Sequence, residues 1–516
     1  MLTDVVFIFE VHQPHRIRQG FFWGRQMLRR MNKKELFDYY FDQSLDREIF
    51  ERACKKCYLP ANMILLESID KFRNDKKPAK FSFSVSGVFI EQCESYAPDV
   101  LELFKQLAET GYVEFLDQTY YHSVVSLYPS RDEFIEEVRL HRRMTKDLLG
   151  KEPSVFENTE LLYNNAIAKE VESLGYDGIV TEGADRTLLG RSPNYVYRAK
   201  DAKKIRVLLR NFKLTDDIGF RFSQTSWSEH PLTSEKYASW IATSNDNCII
   251  IFPDYETFGE HHWPETGIHD FLRKMPEEIL KKENLSLSTP SEVLKRHKAV
   301  GELDVPETDG TISWADIERN TSGWIGNTMQ WAYYTTTKEL EPLVREANDE
   351  EFSKLWRNFL ISDHLYYMYT AGGGPGEVHT YFSPYKTPLD AAVTVQSAVS
   401  DFESRLRLYV IAANEPFIFH SSKTEDYSAG EKAWSLKGFA SKIKEVDTQS
   451  IRFHNASGDF ENWASLSLRD NELARRFRDI RLAKIRGQRL RDTIHQAAAQ
   501  RFIEINESTQ ISTQLF

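Results

Sequence analysis

Two carboxylates stand where chemistry is expected. Glu160 lies in Phe156-Glu-Asn-Thr-Glu-Leu-Leu-Tyr163, and Asp254 closes the apolar run Cys248-Ile-Ile-Ile-Phe-Pro-Asp254. An ionisable side chain at the end of so apolar a run points to a cleft rather than to solvent. Paired Asp and Glu residues serve glycosyl chemistry, in which one group protonates the leaving oxygen and the other traps or stabilises the oxocarbenium-like carbon. A retaining reaction needs the two carboxyl groups about 5 Å apart. Other polar residues end neighbouring runs: Glu10, His12 and Gln13 after the first, and Glu91 after the second. Carboxylates also start helices as caps, but capping accounts poorly for Asp254-Tyr-Glu-Thr-Phe-Gly-Glu-His-His-Trp263.

These residues need a scaffold that brings strand ends together. Seven β-rich runs, 5–11, 81–87, 113–121, 154–159, 177–183, 205–210 and 248–254, alternate with helical patterns such as 61–74, 130–149 and 165–174. That alternation predicts βα units around a parallel sheet or barrel. In such folds ligands bind outside the carboxyl ends of the strands. The 130–149 pattern opens with a Ser130-x-x-Glu133 capping box. From about Ile268 the strand signal fades, and helices are expected over 332–347, 354–369 and 388–407. The acidic stretch 302–309, with Pro306, reads as an extended loop. A strand over 417–420 opens the last region. Its end, between Arg469 and Arg501, carries ten Lys/Arg against four Asp/Glu with a stripe of Leu473, Phe477, Ile480, Leu482 and Ile485, the pattern of a solvated helix. The expected division is a catalytic α/β domain over 1–270, a helical domain packed on it over 271–410, and an accessory, mainly helical region over 411–516.

Composition narrows the function classes. With 41% hydrophobic and 28% charged residues, the 516-residue chain can bury a sizeable core. No stretch approaches the roughly 20 apolar residues that span a bilayer. The amino terminus reaches Asp4 and Glu10 without a basic region leading to a cleavage site, so the expected location is the cytoplasm. A formal net charge of −11 disfavours nucleic acid and anionic membranes as partners and suits a neutral substrate. Cys54-Lys-Lys-Cys57 has metal or redox spacing, but no second pair completes a site, and the four cysteines read as ordinary thiols. No glycine-rich nucleotide fingerprint or phosphate loop is present, and neither a cofactor nor a metal is expected. Aromatic residues make up 13% of the chain, and sugar rings stack on them. Trp263, Trp314 and Trp324 are candidate platforms, and Gln13, Asn158 and His364 candidate partners for hydroxyl groups.

Five motifs in order give the reading a family. Glu10-Val-His-Gln-Pro14, Ser86-Gly-Val-Phe-Ile-Glu-Gln92, Glu157-Asn-Thr-Glu-Leu-Leu-Tyr163, Asp254-Tyr-Glu-Thr-Phe-Gly-Glu-His261 and Ser362-Asp-His-Leu-Tyr-Tyr-Met368 resemble glycoside hydrolase family 57, most closely its α-amylase-like branch. The resemblance implies an incomplete (β/α)7 barrel followed by a helical domain, retention of anomeric configuration, Glu160 as nucleophile and Asp254 as general acid/base. It also implies that His12, Glu91, Glu256 and Asp363 bind the sugar in the reactive subsite. Glu10 stands where the transferase branch commonly has histidine, which fits the amylase-like branch. The segment Ser313-Trp-Ala-Asp-Ile-Glu-Arg-Asn-Thr-Ser-Gly-Trp-Ile-Gly-Asn327 resembles that branch as well, with Asp316 and Glu318 either reaching the cleft or serving as caps and ion-pair partners. Donors such as His12 would favour an ionised nucleophile, and a carboxylate such as Glu256 would help the acid keep its proton. The expected substrate is an α-1,4-glucan or maltooligosaccharide. The alternatives are a 4-α-glucanotransferase or branching enzyme on the same scaffold, a non-catalytic glucan-binding protein, and a metal-dependent carbohydrate deacetylase using His12, His261 and His262. The last would want two histidines one helical turn apart, and no His-x-x-x-His occurs.

Overall fold

The first strand, β1 (Thr3–Val11), is buried along its whole length. Val5, Phe7, Phe9 and Val11 join one apolar cluster while Val6 and Ile8 join another. Successive side chains of a strand point to opposite faces, so β1 is covered on both, as parallel sheets require. The computed structural model describes residues 2–19, 21, 32–315, 317–371, 383–420 and 430–514.

Around β1 run β2 (Phe81–Val85), β3 (Val113–Leu116), β4 (Val155–Glu157), β5 (Gly178–Glu182), β6 (Tyr197–Ala199), β7 (Arg206–Arg210), β8 (Cys248–Ile251), β9 (Leu285–Leu287) and β10 (Glu302–Leu303). β1 pairs in parallel with β8 on one edge, and its other edge is shared between β9 at Thr3–Val5 and β2 at Ile8–Val11. β2 pairs with β3, β4 with β5, and β5 with β7, all parallel. Two joints are thin: β7 meets β8 only at Arg210↔Ile250, and β3 meets β4 through the single bridge Asp117↔Phe156. The fold is therefore an α/β incomplete barrel of seven parallel strands, β1 to β5, β7 and β8, whose outer face packs on helices through residues such as Phe50, Leu65, Phe104 and Leu272.

All seven β-rich runs are strands, most of them ending earlier than read, because the last residues of each run leave the ladder to form the rim. Three strands of this sheet escaped the reading. β9 and β10 carry only three and two residues, and β6 is the antiparallel partner of β7. The stretch 302–309 is not a loop: it begins with β10, paired to β6, and turns into the helix Glu307–Gly310 after Pro306. The capping box at Ser130 does not form. Arg131 holds the N-cap position, and Ser130 Oγ accepts from the Asp132 amide at 3.2 Å.

The chain divides into two compact units, one of residues 1–17, 41–332 and 360–392, the other of 18–40, 333–359 and 393–516. The barrel lies in the first. Residues 271–410, read as one helical domain, are shared between both. The second unit holds the long helix Pro388–Val410 from Val393 onward, an antiparallel pair of Ala412–Phe419 with Glu431–Ser435, and five further helices from Leu436 onward. Its core gathers Phe417, Phe439, Phe460, Trp463 and Phe477. Of the apolar stripe read in its terminal helices, Leu473, Phe477 and Ile480 are buried, whereas Leu482 is exposed. Half of the basic side chains there form ion pairs, such as Arg476 with Glu504 and Arg501 with Asp470. Among the described residues no helix is long and apolar enough to cross a membrane.

Candidate active site

The alternation that buries Val6 and Ile8 inside the barrel carries one position further to Glu10. The same parity runs from Leu116 to Gln118, Val155 to Glu157, Val180 to Glu182, Leu208 to Arg210, and Cys248, Ile250 and Phe252 to Asp254. An apolar layer thus continues into a polar one at the carboxyl ends of the strands, and the bridge Glu10↔Asp254 sets two of its members side by side. Most of this layer is buried, and Glu10, Gln118, Glu157, Glu182 and Arg210 are tied together by hydrogen bonds and ion pairs. Gln118 Nε2 donates to Glu10 Oε1 (3.0 Å) and Ser84 Oγ (2.8 Å), and Ser84 Oγ donates to Glu157 Oε2 (3.0 Å). Arg210 bridges Glu182 (2.8 Å) and Asp216 (2.7 Å). Burial and the facing charge of Glu157 push Glu10 well above the usual carboxylate range, and burial raises Glu157 as well.

Glu160 sits just above that layer, on a turn that bends against the ordinary preference of the chain. Glu160 (φ 61°) and Leu161 (φ 52°) are both left-handed, a conformation costing a side-chain-bearing residue roughly 1–3 kcal/mol. Long-range bonds hold it. The Glu160 carbonyl accepts from Ser313 Oγ (2.7 Å) and Trp314 N (3.3 Å), while its carboxylate accepts from Trp314 Nε1 (2.7 Å, on Oε2) and Ser362 Oγ (2.7 Å, on Oε1). His122 Nε2 lies 3.5 Å from the same Oε1. The indole of Trp314 is fixed by Phe252, edge-on at 5.5 Å, and by Arg210, 5.6 Å from its ring centre.

Asp254 is held differently. Among the described residues its carboxyl has no hydrogen-bond partner, and burial together with the charge of Glu160 pushes it up to about 7. Two residues on, Glu256 is pushed up to about 8 by burial and by the charge of Asp254. It accepts from the Tyr58 hydroxyl and, at 3.4 Å, from Gln13 Nε2. Tyr58 reaches it because the chain winds as a π-helical turn over Cys54–Tyr58, which also lets the Cys57 thiol donate to the Tyr255 carbonyl at 3.0 Å. Gly259 (φ 144°) makes that approach possible, since a Cβ there would stand 1.9 Å from the Lys56 carbonyl oxygen.

The remaining predicted residues fall into two groups. His12 accepts from Ser86 Oγ at 2.7 Å through Nδ1 and donates from Nε2 to Asp363 at 3.2 Å. Burial and the neighbouring charge of His122 push His12 down to about 3, so it is neutral. Burial opposes the Asp363 charge, but the His12 hydrogen bond and the nearby histidines outweigh it and bring this carboxylate to about 2. Glu91 accepts from the Tyr120 hydroxyl at 3.0 Å, and His364 is buried with its ring against Tyr367. Farther along the dense motif, burial holds His261 neutral, its pKa pushed down to about 3, and Trp263 is 54% exposed with the Lys56 ammonium 4.3 Å from its ring centre. His262 is tied to Ser223 and to the Ile218 and Gly219 carbonyls. Trp324 is buried and donates to Ser313 Oγ, which leaves no face for a sugar. Asn158 is buried as well and donates to Ser126 and the Leu162 carbonyl. Glu318 is exposed, and Asp316 lies outside the described residues. Among the described residues no three His, Cys, Asp or Glu are grouped to hold a metal ion.

Sequence reasoning passed over His122, Ser362, Tyr58, Glu157, Gln118 and Arg210. The last three follow from extending strand parity past the apolar run, a signal that was in the sequence. The first three arrive from loops and from a distant helix, and no periodicity marks them.

An α/β barrel whose rim presents a carboxylate ringed by donors beside a second carboxyl group, half-buried and with its pKa pushed up, defines an enzyme of the glycosidase type. The chain belongs to glycosyl hydrolase family 57, whose profile matches residues 6–306. Residues 396–499 match a second family, of unknown function (DUF5752). A Methanocaldococcus jannaschii protein provisionally named an α-amylase is 44% identical over 407 residues, covering 77% of this chain and 84% of the relative. α-Amylase 1 of Dictyoglomus thermophilum is 24% identical over 347 residues, 61% of this chain and 45% of the relative, so the chain spans less than half of that protein's length. Among solved structures, a branching enzyme from Pyrococcus horikoshii superposes with a TM-score of 0.55 at 14% identity, covering 80% of this chain and 90% of its own.

Proposed function

We propose that the protein cleaves internal α-1,4 bonds of glucans with retention, Glu160 acting as nucleophile and Asp254 as general acid/base. The observation that carries this reading is the opposed treatment of the two groups: Trp314 Nε1 and Ser362 Oγ occupy the two oxygens of Glu160, while Asp254 is half-buried, receives no hydrogen bond among the described residues and has its pKa pushed up to about 7. A Glu160 oxygen attacks the anomeric carbon, the glycosidic C–O bond breaks, and its oxygen leaves with the proton of Asp254. Asp254, now ionised, takes a proton from water as the water oxygen attacks the same carbon, and the bond to Glu160 breaks. Ionised Asp363 and the carboxyl groups of Glu256 and Glu91, with the neutral ring of His12, supply polar partners suited to sugar hydroxyls. Gln13 orients Glu256, and Glu10 supports the layer beneath. His261, Trp263 and the ring face of Trp314 are assigned to more distant sugar units.

The named activities of the relatives support an α-glucan substrate, and the 44% identical relative supports the amylase assignment. The test is an assay on maltooligosaccharides. Shorter products with a matching gain in reducing ends and initial retention of the α-anomer are expected; products longer than the donor would assign the chain to glycosyl transfer instead. Glu160→Gln should lower kcat by at least about 10⁴-fold. Ordinary turnover by that variant would remove the nucleophile assignment.

A further inference from the structure

His122 lies outside all five family motifs, yet contacts hold it on several sides. Its backbone is left-handed (φ 50°), and its carbonyl accepts from Ser362 N at 2.9 Å. Ser362 Oγ in turn donates to Glu160 Oε1, the oxygen 3.5 Å from His122 Nε2. Main chain and side chain of one residue thus converge on one carboxylate oxygen. The other ring nitrogen, Nδ1, lies 2.8 Å from Gln118 Oε1 and 3.5 Å from Glu10 Oε1.

The hydrogen-bond donors decide the charge. Gln118 uses its amide nitrogen on Glu10 and Ser84, so the oxygen it turns to His122 can only accept, and Nδ1 must carry a proton. Nε2 stands at ion-pair distance, 3.5 Å, from a carboxylate oxygen, whose negative charge favours a proton there as well. A ring protonated on both nitrogens is a cation. The groups facing it are Glu160 and Glu157 from the end of β4, Glu10 from β1, Asp363 from the helix Ser362–Tyr366, Asp254 after β8, and the neutral ring of His12 stacked at 4.0 Å. Burial opposes the His122 charge, and the contact with Glu160 and the charges of Asp363 and Glu157 outweigh it, raising its pKa.

We propose that His122 is a cationic positioning residue that orients the Glu160 carboxylate and balances its charge, relayed through Gln118 to the buried Glu10–Glu157 pair. The proposal rests on Glu160 being the nucleophile. His122 touches neither substrate nor reacting carbon: it holds the attacking oxygen in line and offsets its charge until the glycosyl ester forms.

His122→Asn separates the charge from the backbone, because asparagine tolerates the left-handed conformation and can still donate a hydrogen bond. The expected result is a kcat about 10²-fold lower, a KM within about threefold of the parent, and an acidic limb of the kcat/KM profile displaced upward by about one pH unit, with the melting temperature nearly unchanged. A packing role alone would move the melting temperature and leave the limb in place. His122→Gln serves if the asparagine variant does not fold. Glu160→Ala with sodium azide tests the underlying reading separately: azide should restore turnover and give a β-glycosyl azide. If azide yields that product while the His122 variants keep the parent's kcat and limb, the role of His122 falls and the nucleophile stands. If Glu160→Ala turns over without azide, both fall.

Discussion

The carboxylate of Glu160 receives an indole N–H on one oxygen and a serine hydroxyl on the other, with an imidazole at 3.5 Å, whereas the carboxyl of Asp254, on the same rim, receives no hydrogen bond among the described residues. The two are nonetheless coupled. Burial and, next to it, the charge of Glu160 raise the pKa of Asp254. On the roles proposed above, one barrel thus prepares a nucleophile and an acid from nearly identical functional groups. The backbone differs too: Glu160 is left-handed, while Asp254 (φ −57°, ψ 137°) is extended and unstrained. Preorganisation is concentrated where the covalent bond is expected to form.

The contrast can be broken most strongly at the acid. Asp254→Asn keeps shape but cannot give up a proton, and kcat/KM on unactivated glucans should fall about 10³-fold, with a far smaller loss of kcat/KM on substrates whose leaving group needs no protonation. Equal losses on both kinds of substrate in steady-state assays would deny Asp254 the acid role. A smaller effect is expected on the donor side. Trp314→Phe retains the ring against Phe252 but removes the N–H from Glu160 Oε2, and kcat should drop by roughly 10²-fold with KM little changed. An unchanged kcat would show that the indole is there for packing.

The subtlest prediction concerns the coupling. In the parent protein kcat/KM should decline as pH rises through about 7, because the required form of Asp254 is the protonated one. Replacing Glu160 by Gln removes the charge that raises it. The Asp254 carboxyl, followed by carbon-13 NMR, should then titrate below 7, moving toward its ordinary value, with burial keeping it above 3.8. A titration still centred near 7 would mean that burial alone sets it.

Much of this was legible in the chain. Asp254 closing an apolar run, and Glu160 after a short one, follow from a strand leaving its ladder at the rim, and the seven runs and their parallel arrangement follow from βα alternation. What escaped has a physical pattern. β9 and β10 are too short to alternate visibly, and each exists because a neighbour offers a free edge: β1 for one, β6 for the other. The Ser130 capping box matched a motif, yet the chain turns one residue later there, since local preferences of this size yield to packing.

Strand periodicity along the sequence was enough to place the two carboxylates on a common rim, because that alternation is a property of consecutive residues. It could also have placed Glu10, Gln118, Glu157, Glu182 and Arg210 in the layer beneath. The division of labour came from elsewhere. Trp314, Ser362 and His122 stand 154, 202 and 38 positions from Glu160, the first two separations being those of their hydrogen bonds and the third the difference 160 − 122. No local pattern records such meetings. Charge state depends on burial and on which donors come within about 3 Å, and only the closed fold brings them there.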